Sequence, residues 1–190
     1  MYLKNSFILI FFIILSCQPV EILKPVEIDM TIFEKISINA EKIEVNKKYS
    51  SVFSQSNIED QIQKSPVNLM AEWNSQNILK LGNENKLVIN ILDASIKKTE
   101  IMNVDAKKYE EKTVFKYEVS YLVEYELYDS SSYLIANTTV ETSRSTTSRK
   151  YISLNETEII INDLLFLTLN DYINETKKQL SIYMGNYLSI

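Results

Sequence analysis

Between residues 115 and 127 the chain alternates apolar and polar residues with the single exception of Leu122. Phe115, Tyr117, Val119, Tyr121, Val123, Tyr125 and Leu127 occupy the odd positions, and Lys116, Glu118, Ser120, Glu124 and Glu126 hold all but one of the even ones. A helix would scatter these aromatic residues around its circumference, whereas a strand gathers them on one face. The segment is therefore a long strand with one buried side, and the rest of the chain must supply neighbours beside it and a layer over it.

Neighbours are legible on both sides. The run 87–96, LVINILDASI, is apolar on both parities, as in a strand central in its sheet. After the long strand, Asp129-Ser-Ser-Ser132 turns the chain, and 133–147 returns as a threonine-rich strand with a wet outer face. An earlier strand spans 32–45, with Ile36, Ile38 and Ala40 in one phase, Ile43 and Val45 in the other, and a bulge near Glu41. Two helices supply the cover. Ser65-Pro66 starts the first, whose stripe Leu69, Met70, Trp73, Ile78 and Leu81 runs to Gly82. A capping box at Ser153-Leu-Asn-Glu156 starts the second, with Ile159, Phe166, Ile173, Leu180 and Tyr187 at sevenfold spacing beside Leu169 and Tyr183, and with Asn162 and Thr176 interrupting a second stripe. The order β-α-β-β-β-α predicts an α/β (α+β) two-layer sandwich, a roughly four-stranded, mostly antiparallel sheet with two helices on one face.

The opening segment 1–17, MYLKNSFILIFFIILSC, places Lys4 ahead of a short apolar run that ends at a small residue and the only cysteine. A run of that length is about half of the roughly 20 residues that a membrane-spanning helix needs, so 1–16 reads as a secretion signal. Residues 17–28 follow as a tether containing Pro19 and Pro25, and 29–190 as one domain with no glycine-serine or proline-rich break.

Ile14-Leu15-Ser16-Cys17 resembles the lipobox of bacterial lipoproteins. That resemblance implies that Cys17 carries a diacylglycerol and palmitate and becomes the first residue of the mature protein. With Gln18 rather than aspartate behind it, the same family rule implies an outer-membrane address, facing the periplasm. The layout as a whole resembles small envelope lipoproteins that assist lipopolysaccharide assembly and the auxiliary lipoproteins of ABC-type transport systems. AEWNSQNILKLG, INILDASI and TSRSTTSRKYISLNETE further resemble a group of envelope lipoproteins to which no activity attaches.

Composition closes off most chemistry. Without a single histidine, serine-histidine and cysteine-histidine nucleophile systems cannot form, and with only Gly82 and Gly185 there is no glycine-rich phosphate loop. No catalytic residue, metal ligand set or cofactor site is expected. Once 1–16 are removed, 19 basic residues face 25 acidic ones, a net charge of −6, with lysine and glutamate interleaved, so nucleic acid is not an expected partner. Two features are candidates for contact. Arg144 and Arg149, the only arginines against 18 lysines, would offer a planar fork to a carboxylate or phosphate, and Asp93 is one candidate partner within the chain. Tyr117, Tyr121 and Tyr125 are candidate groove aromatics, unless the helices bury them as core. The expectation is a non-enzymatic, lipid-anchored envelope protein that acts as an accessory or scaffold for an assembly or transport complex. It meets the membrane through its N-terminal lipid and another envelope protein through its surface. The alternative is a lipoprotein that binds a lipid or peptide in a groove lined by those tyrosines.

Overall fold

The structure is a computed structural model that describes residues 28–51 and 54–189. Cys17 and most of the expected tether lie outside the described residues. Among the described residues, strands and α-helices follow one another as β1 (Ile36–Ile38), β2 (Lys42–Lys47), α1 (Pro66–Asn77), β3 (Ile78–Lys80), β4 (Lys86–Met102), β5 (Thr113–Tyr128), β6 (Leu134–Ser148), α2 (Leu154–Tyr183) and β7 (Leu188–Ser189). The main sheet has four strands in the order β2-β4-β5-β6, with β2 parallel to β4 and the other pairs antiparallel. Both helices pack on one face of it, as the two-layer sandwich requires.

β5 is the strand that the alternation predicts. Tyr117, Val119, Tyr121, Val123, Tyr125 and Leu127 are all buried, at 1% exposure or less, while the even positions keep partial access to solvent. β4 is central, and a bulge between Ile91 and Asp93 explains its apolar content on both parities. Leu87, Ile89 and Ile91 face the helices before the bulge, and Ala94 and Ile96 after it, so one extra residue shifts the buried phase by one. The β5–β6 turn is held by Asp129, whose Oδ1 accepts from the backbone N–H of Ser131 at 2.8 Å and of Tyr133 at 2.9 Å. Ser132 completes that turn at φ 65°, a left-handed conformation that short polar residues tolerate in turns.

Three expectations are corrected. The strand read over 32–45 is two strands in two different sheets. β1 lies between β3 (parallel) and β7 (antiparallel) in a small second sheet, and the phase change near Glu41 is where the chain crosses from that sheet to β2. The helix read to Gly82 ends at Asn77, whose side-chain amide donates to the carbonyls of Met30 at 3.1 Å and Phe33 at 3.0 Å. Ile78 then enters parallel register with Ile36, so it belongs to a strand, and Leu81 is left exposed beyond that strand.

The second helix keeps its capping box, with Ser153 accepting from the Glu156 N–H at 3.1 Å and Glu156 accepting from the Ser153 N–H at 2.9 Å. Its buried face, however, is Ile161, Leu164, Leu165, Thr168, Leu169, Tyr172, Ile173, Thr176 and Leu180. Ile159 and Tyr183 are exposed, and Tyr187 lies past the helix end. Threonine fits that face because its hydroxyl can bond back into the helix, as Thr168 does to the Leu164 carbonyl at 2.6 Å.

Candidate functional site

The three tyrosines named as groove candidates form part of the core. Tyr121 meets the Tyr172 ring of α2 edge-on at 5.9 Å, and Tyr172 meets Trp73 of α1 at 5.5 Å and 80°. Tyr125 donates to Asn74 Oδ1 at 2.8 Å and bonds the Tyr172 hydroxyl, while the Asn74 amide donates to Tyr172 at 2.9 Å and to the Met70 carbonyl at 2.8 Å. This buried cluster ties α1, α2 and β5 together. Burial pushes the hydroxyls of Tyr121 and Tyr125 up, and that of Tyr172 up to about 12. Among the described residues no open groove runs over Tyr121 and Tyr125, whose side chains are covered completely. Tyr117 alone of the three reaches the wall of a pocket, at the far end of the sheet.

Arg144 and Arg149 do not share one anion. Arg144 pairs with Val119 across the β5–β6 ladder, so it stands on the helix side of the sheet, where Nε donates to Asp171 Oδ2 at 2.7 Å and a terminal nitrogen to Oδ1 at 3.1 Å. This is the planar fork on a carboxylate that the residue type predicts, but its partner is Asp171 of α2 rather than Asp93. Asp93 sits after the β4 bulge opposite Leu122, on the face away from the helices, and accepts from Ser95 at 3.3 Å. Arg149 lies just past β6, exposed, with no ion pair among the described residues. An odd separation along a strand puts two side chains on opposite faces, and these two accordingly meet different surroundings.

β6 is the terminal strand of the main sheet. Its even positions face α2, where Val140 is buried and Thr138 donates to Gln179 at 3.4 Å. Its odd positions, among them Thr139, Glu141, Ser143 and Ser145, are exposed. One side of the strand pairs with β5, and the other pairs with no strand among the described residues. The full length of Leu134–Ser148 thus presents an unfinished ladder of backbone donors and acceptors beside exposed Tyr133, Leu134 and Ile135.

A pocket of about 410 Å³ opens at the end of the sandwich where α2 begins. Phe115 and Tyr117 of β5 form its floor, with Lys98 and Lys150 on either side. The segment before α1 forms one wall because it is pinned to β4, the Lys98 N–H donating to the Ser56 carbonyl at 2.7 Å and the Ile58 N–H to the Ile96 carbonyl at 3.2 Å. Sequence reasoning missed this site because its residues come from four separate segments. The alternation of β5 did place Phe115 and Tyr117 on one face.

Among the described residues no cluster of histidine, cysteine, aspartate and glutamate could hold a metal ion, and no helix is long and apolar enough to cross a membrane. No family model and no curated protein matches the chain. Among solved structures the chain is similar to a minor lipoprotein from Acinetobacter baumannii, at 12% identity over 76% of this chain and 93% of that one, with a TM-score of 0.41.

Proposed function

We propose that this protein is a non-enzymatic, lipid-anchored component of a bacterial cell envelope. It serves as an accessory or scaffold in an assembly or transport complex, from the periplasmic side of the outer membrane. The observation that carries the reading is the pairing of a covered Tyr121–Tyr125 face with an open strand edge. The tyrosines that would line a groove are spent on holding the helices to the sheet, while β6 leaves a long row of backbone groups for another chain to complete. The lipobox-like Ile14-Leu15-Ser16-Cys17 supports anchoring, and a thiol with no second cysteine to pair with is consistent with modification. Arg149, exposed and engaged only by the charge of Glu156 among the described residues, is the arginine that a partner could meet, because the Arg144 fork is occupied by Asp171.

Labelling with a palmitate analogue tests the anchor, and Cys17→Ser is expected to lose both label and membrane association. Crosslinking in intact cells tests the edge. Thr139→Pro and Thr146→Pro stand at opposite parities, so one of them removes a donor that points outward. Loss of crosslinked envelope proteins from a folded, lipidated variant supports edge pairing. Persistence of every partner in both variants overturns it.

A further inference from the structure

The pocket at the start of α2 combines an aliphatic and aromatic part of its lining with an ammonium group that is in no ion pair among the described residues. Lys98 Nζ stands 4.0 Å from the Phe115 ring centroid and 5.6 Å from that of Tyr117, and it makes no ion pair among the described residues. Lys150 approaches Phe115 at 6.0 Å but is held by Glu100 at 2.7 Å. The lining is mixed, with Ile58, Ile62 and Ile161 as aliphatic contacts and Gln61, Gln63 and Asn162 as polar ones. Glu158 is the acidic residue of the lining, placed on α2.

We propose that this pocket binds a medium-chain fatty acid, with its carboxylate at Lys98 and its chain between Ile58, Ile62 and Ile161. The aromatic floor favours a cation at Lys98 while leaving that cation without an anion, so a carboxylate gains a charge-assisted contact at a partly desolvated site. The two ammonium groups, Lys98 and Lys150, disfavour a cationic headgroup. A methylene takes up roughly the volume of one water in the liquid, so a chain of about ten carbons fits the space with its head at the rim. The size lies within the range of small-ligand sites, and one wall is anchored where Ser56 and Ile58 pair with the β4 backbone. The site does not use the free backbone edge of β6.

A diazirine analogue of decanoate, photolysed with the full-length protein in its own membrane, tests the site. Label is expected on peptides containing Ile62 and Ile161, displaced by excess decanoate and not by decyltrimethylammonium. Lys98→Met should cut labelling at least fivefold, Lys98→Arg should retain it, and Glu158→Gln should leave it unchanged or raise it. Thr157→Trp, a half-exposed position on the pocket wall, should abolish labelling by filling the space, and it serves as the decisive variant if Lys98→Met alters the thermal midpoint. Label spread over many peptides, equal competition by the cationic amphiphile, or undiminished labelling in a folded Thr157→Trp protein would overturn the assignment.

Discussion

Tyr121 and Tyr125 lie on the same face of β5 with Val123 between them, both covered completely, and they differ in the fate of their hydroxyls. Tyr125 donates to Asn74, whereas the Tyr121 hydroxyl has no hydrogen-bond partner among the described residues. An orphaned buried hydroxyl carries a desolvation cost without return, while a bonded one contributes about 1 kcal/mol net. Tyr121→Phe is therefore expected to leave stability unchanged or raise it by about 1 kcal/mol, Tyr125→Phe to lower it by about 1–2 kcal/mol, and Asn74→Ala to lower it by about 2–3 kcal/mol because it strips partners from two phenols. Tyr121→Ala removes the ring as well and should cost about 3–5 kcal/mol. Urea titrations of the four variants rank them, and a Tyr121→Phe protein weaker than Tyr125→Phe contradicts the assignment. The same cluster sets an alkaline limit. The folded Tyr172 hydroxyl titrates near 12 against an ordinary value of 10.0, so the folded state holds this proton more tightly. Its contribution is complete below pH 10 and is lost as pH rises toward 12. Tyrosinate absorbance and circular dichroism should then report a shared transition in that window, with the buried phenols ionising as the fold opens.

Strands and helices are most legible in the sequence where one face alone decides burial. β5 has a single apolar parity, and its strand and buried residues follow directly from it. The capping box likewise marks the start of α2 because both of its hydrogen bonds are local. Sequence spacing does not resolve competition between faces. α2 carries apolar residues on more than one stripe, and the sheet selects the one through Tyr172 and Thr176 rather than the one through Ile159 and Tyr183. The end of α1 is not legible locally because distant groups fix it, the Met30 and Phe33 carbonyls that accept from Asn77. Gly82, read as a helix terminator, has a different reason to be glycine. A Cβ there would stand 1.8 Å from Asn39 Oδ1 and 2.8 Å from the Asn39 carbonyl carbon. The amide side chain can swing aside, but the backbone cannot, so Gly82→Ala should cost about 1–3 kcal/mol, read as a lowered denaturation midpoint. By contrast, the Arg144–Asp171 fork is partly exposed, with side-chain accessibilities of 42% and 36%. Solvent screens such a pair, so Arg144→Lys should change stability by less than about 1 kcal/mol.

Two sheets of very unequal size share one core and so hold the chain together. The main sheet sets long strands against two helices, while the small sheet joins three short strands from chain positions far apart, β1, β3 and β7. Its ladder is brief: all of β1 pairs with β3, but only Ser37 and Ile38 pair with β7, backed by the Asn39 N–H donating to the Tyr187 carbonyl at 2.7 Å. Yet Ile36, Ile38 and Ile78 belong to the same buried cluster as Leu87 and Tyr125, so the small sheet closes the core below α1 rather than forming a separate unit. Few backbone bonds and a shared core predict local opening of the small sheet ahead of global unfolding. In native-state hydrogen exchange the amides of 36–38 and 78–80 should therefore exchange before those of 87–96 and 117–127. Ending the chain after Met184 removes β7 and the Tyr187 carbonyl together, and should speed exchange at 37–39 while the main sheet keeps its protection. The slow amides of β4 and β5 are the control: if they lose protection in step with β1, the two sheets open as one cooperative unit and the small sheet is as deeply committed to the fold as the large one.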